Sequence, residues 1–313
     1  MRTNDFKFFT KDNTEIFVYK WLPDEGKKIK AVLQIVHGMA EHGARFNEFA
    51  DFLTKNGLAV YADDHRGHGK TACSQDNMGF FAEKDGWNLA VSDEVELTQI
   101  IKKENPGLSV FLFGLSMGSL ITRDYIMTDG SIVDGVILSG TSSDPGIMAY
   151  FGKLIALWQI RHHGFKVKSP LLDKLSFGKF NSYFKPNRTS FDWLSINEEN
   201  VDRYVADPNC GNVFSAGFFY DLIYGVKKVN LFKNIKKVPK SLPIFLISGH
   251  KDPVGNLTKG VIKVYKDYKK TGIMDLNYKF YHGLRHEILN ETNRYEVYKD
   301  IMDWLNKHIY KKV

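Results

Sequence analysis

The apolar positions of this chain fall into two rhythms, one of period two and one of helical spacing, and they take turns. Residues 5–10 and 14–21 alternate apolar with polar, which predicts a hairpin of edge strands. Residues 31–36, Ala-Val-Leu-Gln-Ile-Val, read as a buried strand that runs straight into His37-Gly38. Residues 44–56 have helical spacing, with Phe46, Phe49, Ala50 and Leu53 on one face. A short strand follows at 58–62. A long amphipathic helix then spans 86–104 and is stopped by Asn105-Pro106-Gly107. Strands at 110–113 and 133–138 flank a helix at 117–128. Largely apolar strands separated by helices predict a mostly parallel sheet covered on both faces.

From about 141 to 225 that rhythm fails. It resumes with a strand at 244–248, a helix at 255–270, a strand at 276–281 and a helix at 293–309. The expectation is an α/β fold with a core formed by 1–140 and 226–313, and an inserted, mainly helical cap at 141–225. A chain of 313 residues is long enough for one domain carrying such an insertion.

Composition narrows the setting. Two cysteines make no disulfide framework, and reduced thiols are the simpler reading, with a Cys73–Cys210 bridge as the alternative. Met1 to Thr10 is polar and alternating, without the apolar core of an export signal. No apolar run approaches the ~20 residues needed to span a bilayer. A cytoplasmic address is expected on these grounds, peripheral at the membrane at most. The net charge of +7 comes with no nucleic-acid-binding motif, so nucleic acid is set aside as a partner.

The sharpest chemical signal is Gly114-Leu115-Ser116-Met117-Gly118, a G-x-S-x-G pattern between a predicted strand and a predicted helix. A tight strand-to-helix turn aims the serine hydroxyl out of the carboxyl end of the sheet. The helix N-terminus behind it offers N–H groups to a developing oxyanion. Such a serine needs a base, and the base needs an orienting acid. In the expected chain order Ser, Asp, His, two positions fit. Asp252 follows the strand 244–248, and His286 follows the strand 276–281. His250 and His282 compete by proximity, and His282, at its strand's end, reads as a packing residue.

Other signals are weaker. Gly69-Lys70-Thr71 resembles the end of a phosphate loop, but the required first glycine is Asp64. The block Asp64 to Gly69 reads as a structural turn beside the active site. His162-His163 has no clustered ligands nearby in sequence and reads as solvated. No metal or organic cofactor is expected.

Taken together, the blocks His37-Gly38-Met39-Ala40-Glu41-His42 with Arg45-Phe46, Asp64 to Gly69, Gly114 to Gly118, Gly249 to Asp252 and Gly283 to His286 resemble the monoacylglycerol lipase and lysophospholipase branch of the α/β-hydrolases. Asp192-Trp193-Leu194-Ser195 and Asp207-Pro208 look like the cap of bacterial members. The resemblance implies a triad of Ser116, Asp252 and His286, and an oxyanion hole made by the backbone N–H groups of Met39 and Met117. It also implies substrate contacts at Gly38, Glu41 and Arg45 around a polar, glycerol-binding end of the pocket. For Glu41 and Arg45 the alternative is a surface ion pair near a helix start. Leu289 stands where some animal members carry a second histidine, which weakens strict monoacylglycerol specificity.

The expected substrate is a single-chain lipid ester. Alternatives, in order, are a lysophospholipid or general carboxylic ester, a peptide with a free amino end, and no substrate at all in a silent binding protein. Residues 147–160 are apolar nearly all round if helical, which fits a buried cap helix or a lid that touches lipid. Residues 151–190 hold eight lysines and arginines against Asp173 alone, which accounts for the whole positive excess. An apolar segment followed by a basic one suits reversible docking on an anionic membrane surface. Oligomeric state is left open.

Overall fold

A computed structural model describes residues 1–309. Its strands are β1 (Arg2–Thr3), β2 (Phe6–Phe9), β3 (Glu15–Leu22), β4 (Ala31–Val36), β5 (Leu58–Asp63), β6 (Ser109–Leu115), β7 (Gly135–Ser139), β8 (Ile244–Gly249) and β9 (Leu276–Tyr281). Its α-helices are α1 (Asn47–Lys55), α2 (Gly86–Glu104), α3 (Met117–Thr128), α4 (Ile147–His163), α5 (Pro170–Phe177), α6 (Glu198–Ala206), α7 (Ala216–Asn230), α8 (Phe232–Ile235), α9 (Lys259–Lys270) and α10 (Arg294–Ile309). The sheet runs β1-β3-β5-β4-β6-β7-β8-β9, with β2 paired to β3. From β5 to β9 all pairs are parallel, and β1, β2 and β5 meet β3 antiparallel.

The parallel strands alternate their side chains between two cores. Val36, Leu112, Val136 and Leu246 face the layer of α2, α3, α7 and α9. Leu33, Ile35, Phe111, Phe113 and Ile247 face α1 and α10. Strands buried on both faces carry few polar residues, and this is why their sequences read as continuous apolar runs. The chain order reverses between β4 and β6, so the loop after β4 and the turn after β6 flank the crevice where open parallel sheets bind ligands.

Several elements differ from expectation at their ends. The helix expected from 44 splits into a 3-10 turn at Gly43–Phe46 and then α1, and α9 begins at Lys259 rather than at 255. Residues 256–258 have positive φ, so the chain turns before the helix starts. The stretch between β7 and β8 is helical throughout its regular parts, from α4 to α8. α7 continues through residue 225 and buries Phe218 and Phe219 in the core beside Trp87. Cys73 and Cys210 are both free thiols, the first exposed and the second buried.

Candidate active site

Ser116 sits in the turn between β6 and α3 with φ 54° and ψ −117°, a conformation non-glycine residues rarely adopt. Neighbouring packing enforces it. A Cβ on Gly118 would lie 1.9 Å from the Val36 carbonyl oxygen, so only glycine lets the first turn of α3 press onto the end of β4. Met117 is the first residue of α3, and its N–H has no acceptor within the helix.

His286 and Asp252 meet across the ends of β9 and β8. His286 Nδ1 lies 2.9 Å from Asp252 Oδ2, and both side chains are buried. Asp252 also accepts the Val254 N–H at 2.9 Å and the Ser248 hydroxyl at 3.1 Å. Burial pulls the His286 pKa down, but the charge and hydrogen bond of Asp252 outweigh it and hold the value above 6.5. Gly140, at φ +58°, makes room for the pair. A Cβ there would stand 2.7 Å from His286 Cε1. The ring of Trp193 packs on His286 with centroids 5.3 Å apart.

Ser116 and His286 share a cavity of about 180 Å³ with Gly38, Met39, Glu41 and Tyr204. A second, mostly apolar cavity of about 480 Å³ starts from Ser116, Met39 and Met117 and extends under the inserted helices, past Leu120, Ile155 and Ile223. Hydroxyl, imidazole, carboxylate and a helix N-terminus around one opening are the parts required for nucleophilic acyl transfer.

The loop after β4 is held rigidly. Gly38 N–H donates to Glu41 Oε1 at 2.7 Å. His37 lies within 2.7 Å of the Gly38 carbonyl through Nδ1 and accepts the His65 N–H at Nε2. That acceptor role makes Nδ1 the protonated nitrogen. His65 stacks on His37 with centroids 3.7 Å apart and reaches the His37 carbonyl at 3.0 Å. Burial, then the neighbouring His65 charge, hold His37 well below its ordinary pKa. Burial opposes a charged His65, yet Asp63 and Glu94 hold it protonated. Asp64 accepts the Gly43 and Lys70 N–H groups at 2.8 and 2.7 Å. The Asp64 to Gly69 block thus builds a structural turn.

Glu41 lines the cavity, whereas Arg45 lies behind it and does not. The two are not a surface pair: both are largely buried. Arg45 bonds Glu41 at 3.0 Å and takes the Glu287 carboxylate with both terminal nitrogens, and its guanidinium lies 4.8 Å from the Tyr204 ring centre. Asn200 completes the group by donating to Glu287 at 2.8 Å. Despite burial, the Arg45 charge and hydrogen bonds pull the Glu287 carboxyl down to about 2, and burial pushes Glu41 up. His282 is exposed beside His250 rather than packed, because β9 ends at Tyr281 and the ring turns to solvent. Leu289 is buried. His162 and His163 are exposed, with His162 Nδ1 2.8 Å from the Trp158 carbonyl.

Glu287, Gly140, Asn200 and Tyr204 escaped sequence reasoning. For Gly140 a signal existed: a glycine directly after a strand's carboxyl end. The others belong to regions without periodicity.

The chain is similar to known proteins over most of its length. The family model described as "Serine aminopeptidase, S33" matches residues 27–293. A monoacylglycerol lipase of Mycolicibacterium smegmatis is 27% identical over 297 residues, covering 92% of this chain and 92% of the relative. The monoglyceride lipase of Homo sapiens is 28% identical over 306 residues, covering 95% and 88%. Among solved structures, a thermostable carboxyl esterase from Bacillus coagulans in complex with glycerol superposes with a TM-score of 0.91 at 29% identity, over 99% of both chains.

Proposed function

The chain belongs to the serine aminopeptidase S33 family, in the monoacylglycerol lipase and lysophospholipase branch of the α/β-hydrolases, and on that premise we propose a carboxylic-ester hydrolase for single-chain lipids. It is a hydrolytic enzyme of the esterase and lipase kind. The observation that carries the finer reading is the apolar cavity opening from Ser116, which suits one acyl chain.

In this reading Ser116 attacks the ester carbonyl and His286 takes its proton through Nε2. The N–H groups of Met39 and Met117 receive the oxyanion. His286 then protonates the leaving alcohol, and water cleaves the acyl-enzyme by the same route. Asp252 fixes the imidazole tautomer and stabilises its cation. Gly38 and Glu41 form the wall beside the leaving group, and Arg45 acts by holding Glu41 and Glu287 in place. The relatives named monoacylglycerol lipase favour a glycerol head group. A peptide substrate has less support, because Glu41 is pledged to Gly38 N–H and Arg45 and is poorly placed to receive an ammonium.

The inserted region adds a membrane-facing role. Residues 141–225 form the cap, and α4 exposes Ile147, Phe151 and Trp158, the last at 57%. Basic residues follow it, so an anionic lipid surface is the proposed docking partner. No helix among the described residues is long and apolar enough to cross a membrane.

The deciding experiment pairs labelling with turnover. A fluorophosphonate probe should label Ser116, and Ser116→Ala should lose both the adduct and at least about 10⁴-fold in hydrolysis of a short p-nitrophenyl ester. Retained hydrolysis by the variant overturns the assignment.

A further inference from the structure

Two clusters of potential metal ligands lie outside the cavity of Ser116 among the described residues: Asp63, His65 and Glu94 are wholly buried and paired with one another, and the second sits between the cap and the loop after β4. His42 comes from the loop after β4, and Asp207 and Cys210 come from the turn after α6. Their donor atoms all lie within 4.8 Å of one another. His42 Nε2 stands 2.8 Å from Asp207 Oδ2. We propose that His42, Asp207 and Cys210 bind a thiophilic divalent cation of the Zn²⁺ type, which ties the cap to the loop after β4.

The spacing supports this. Asp207-Pro208-Asn209-Cys210 places two ligands three residues apart in a tight turn, the spacing with which paired ligands commonly grip zinc. The turn is closed by the Cys210 N–H donating to the Asp207 carbonyl at 3.0 Å. Asp207 is already oriented: its Oδ1 accepts the Asn209 N–H at 2.9 Å, leaving Oδ2 toward His42. Imidazole, carboxylate and thiolate together suit Zn²⁺ better than Mg²⁺ or Ca²⁺, which take oxygen ligands. A cavity of about 300 Å³ opens onto His42 and Asp207.

The charges lining the cavity are balanced, with Arg45 and Arg203 beside Glu48 and Asp207. Arg45 is shared between Glu41 and Glu287, and Asp207 adds a third carboxylate to the same neighbourhood. The Cys210 thiol is buried and has to lose its proton to ligate the ion. Binding must release that proton to solvent, and the charge of the ion compensates the buried thiolate.

The location gives the site a consequence. Tyr204 and Gly211 already donate to the Ala40 carbonyl at 2.9 and 3.0 Å. A metal bridge would replace the direct His42–Asp207 contact beside them as a further tie between the cap and the loop that carries Met39. The ion would be structural, since Ser116 opens into a different cavity.

The test uses the full chain freed of metal by chelator and titrated with Co²⁺. The expected result is a one-to-one complex with a thiolate-to-cobalt charge-transfer band, displaced by Zn²⁺, and a Tm that rises with Zn²⁺ concentration. Cys210→Ser should abolish the band, and His42→Gln should weaken binding at least about tenfold. Cys73→Ser and His162→Asn should change neither readout. Urea midpoints of the metal-free variants, unchanged from the parent, verify that each folds; a variant that does not is replaced by Asp207→Asn, with the same expected loss of affinity. No thiolate band in the parent chain, undiminished binding by Cys210→Ser, or loss of the band in Cys73→Ser would overturn the proposal.

Discussion

The guanidinium of Arg45 holds the carboxylate of Glu287, the residue next to His286, through hydrogen bonds of 2.6 and 2.7 Å. Both partners are largely buried, and Glu41 lies on the same guanidinium. Removing Arg45 strands two carboxylates away from water. Arg45→Ala should therefore cost about 3–5 kcal/mol of stability, read from urea denaturation. Arg45→Lys keeps a charge but loses the two-pronged grip, and should fall between the two. A loss under about 1 kcal/mol for the alanine variant would refute the clamp.

Acid should switch the enzyme off at a pH above that of an ordinary imidazole. Burial lowers the His286 pKa, but Asp252 raises it more, to a net value above 6.5. The base must be neutral to accept the Ser116 proton. Hence kcat/KM should rise with pH through that raised value and be lost below it. Asp252→Asn should move the midpoint down and lower kcat by about 10³–10⁴-fold. The pH profile of both proteins checks this, and an unmoved midpoint would contradict the pairing.

Chain length should be read by the apolar cavity. Ile223 lines it from α7, and Ile223→Trp would fill part of its volume of about 480 Å³. The variant should lose activity on long-chain monoacylglycerols while keeping that on short p-nitrophenyl esters. A uniform loss on every chain length would place the acyl group elsewhere.

Docking should depend on α4. Trp158 and Phe151 are more than half exposed, so exchanging each for serine should leave the fold intact. Each exchange removes roughly 1.5 kcal/mol of burial in lipid, about tenfold in partitioning onto vesicles containing anionic phospholipid. Added salt should weaken the parent's binding as well. Sedimentation with vesicles of neutral and of anionic lipid measures both effects.

How much of this was legible before folding varies with the physics of each part. The parallel strands were, because a strand buried on both faces has little choice but apolar residues. The helix α2, predicted over 86–104, has those same ends, since Asn105-Pro106-Gly107 stops it. Ser116 was legible because its turn permits few residues beside it. The pairing of His286 with Asp252, expected from chain order, is present as a 2.9 Å contact.

What local pattern left open was which polar residues meet. Arg45 and Glu287 lie far apart in sequence, and nothing near either one names the other. The same is true of His42 with Asp207 and Cys210, and of Gly140 with His286. The inserted helices leave no periodic signal because α4 is apolar nearly all round and much of that surface stays exposed. By itself the sequence determined the alternating layers and the serine turn, because backbone geometry and burial act locally. Only the tertiary structure decided that Glu41 faces the cavity of Ser116 while Arg45 turns behind it to Glu287, because long-range charge pairing depends on distances that exist only once the chain has folded.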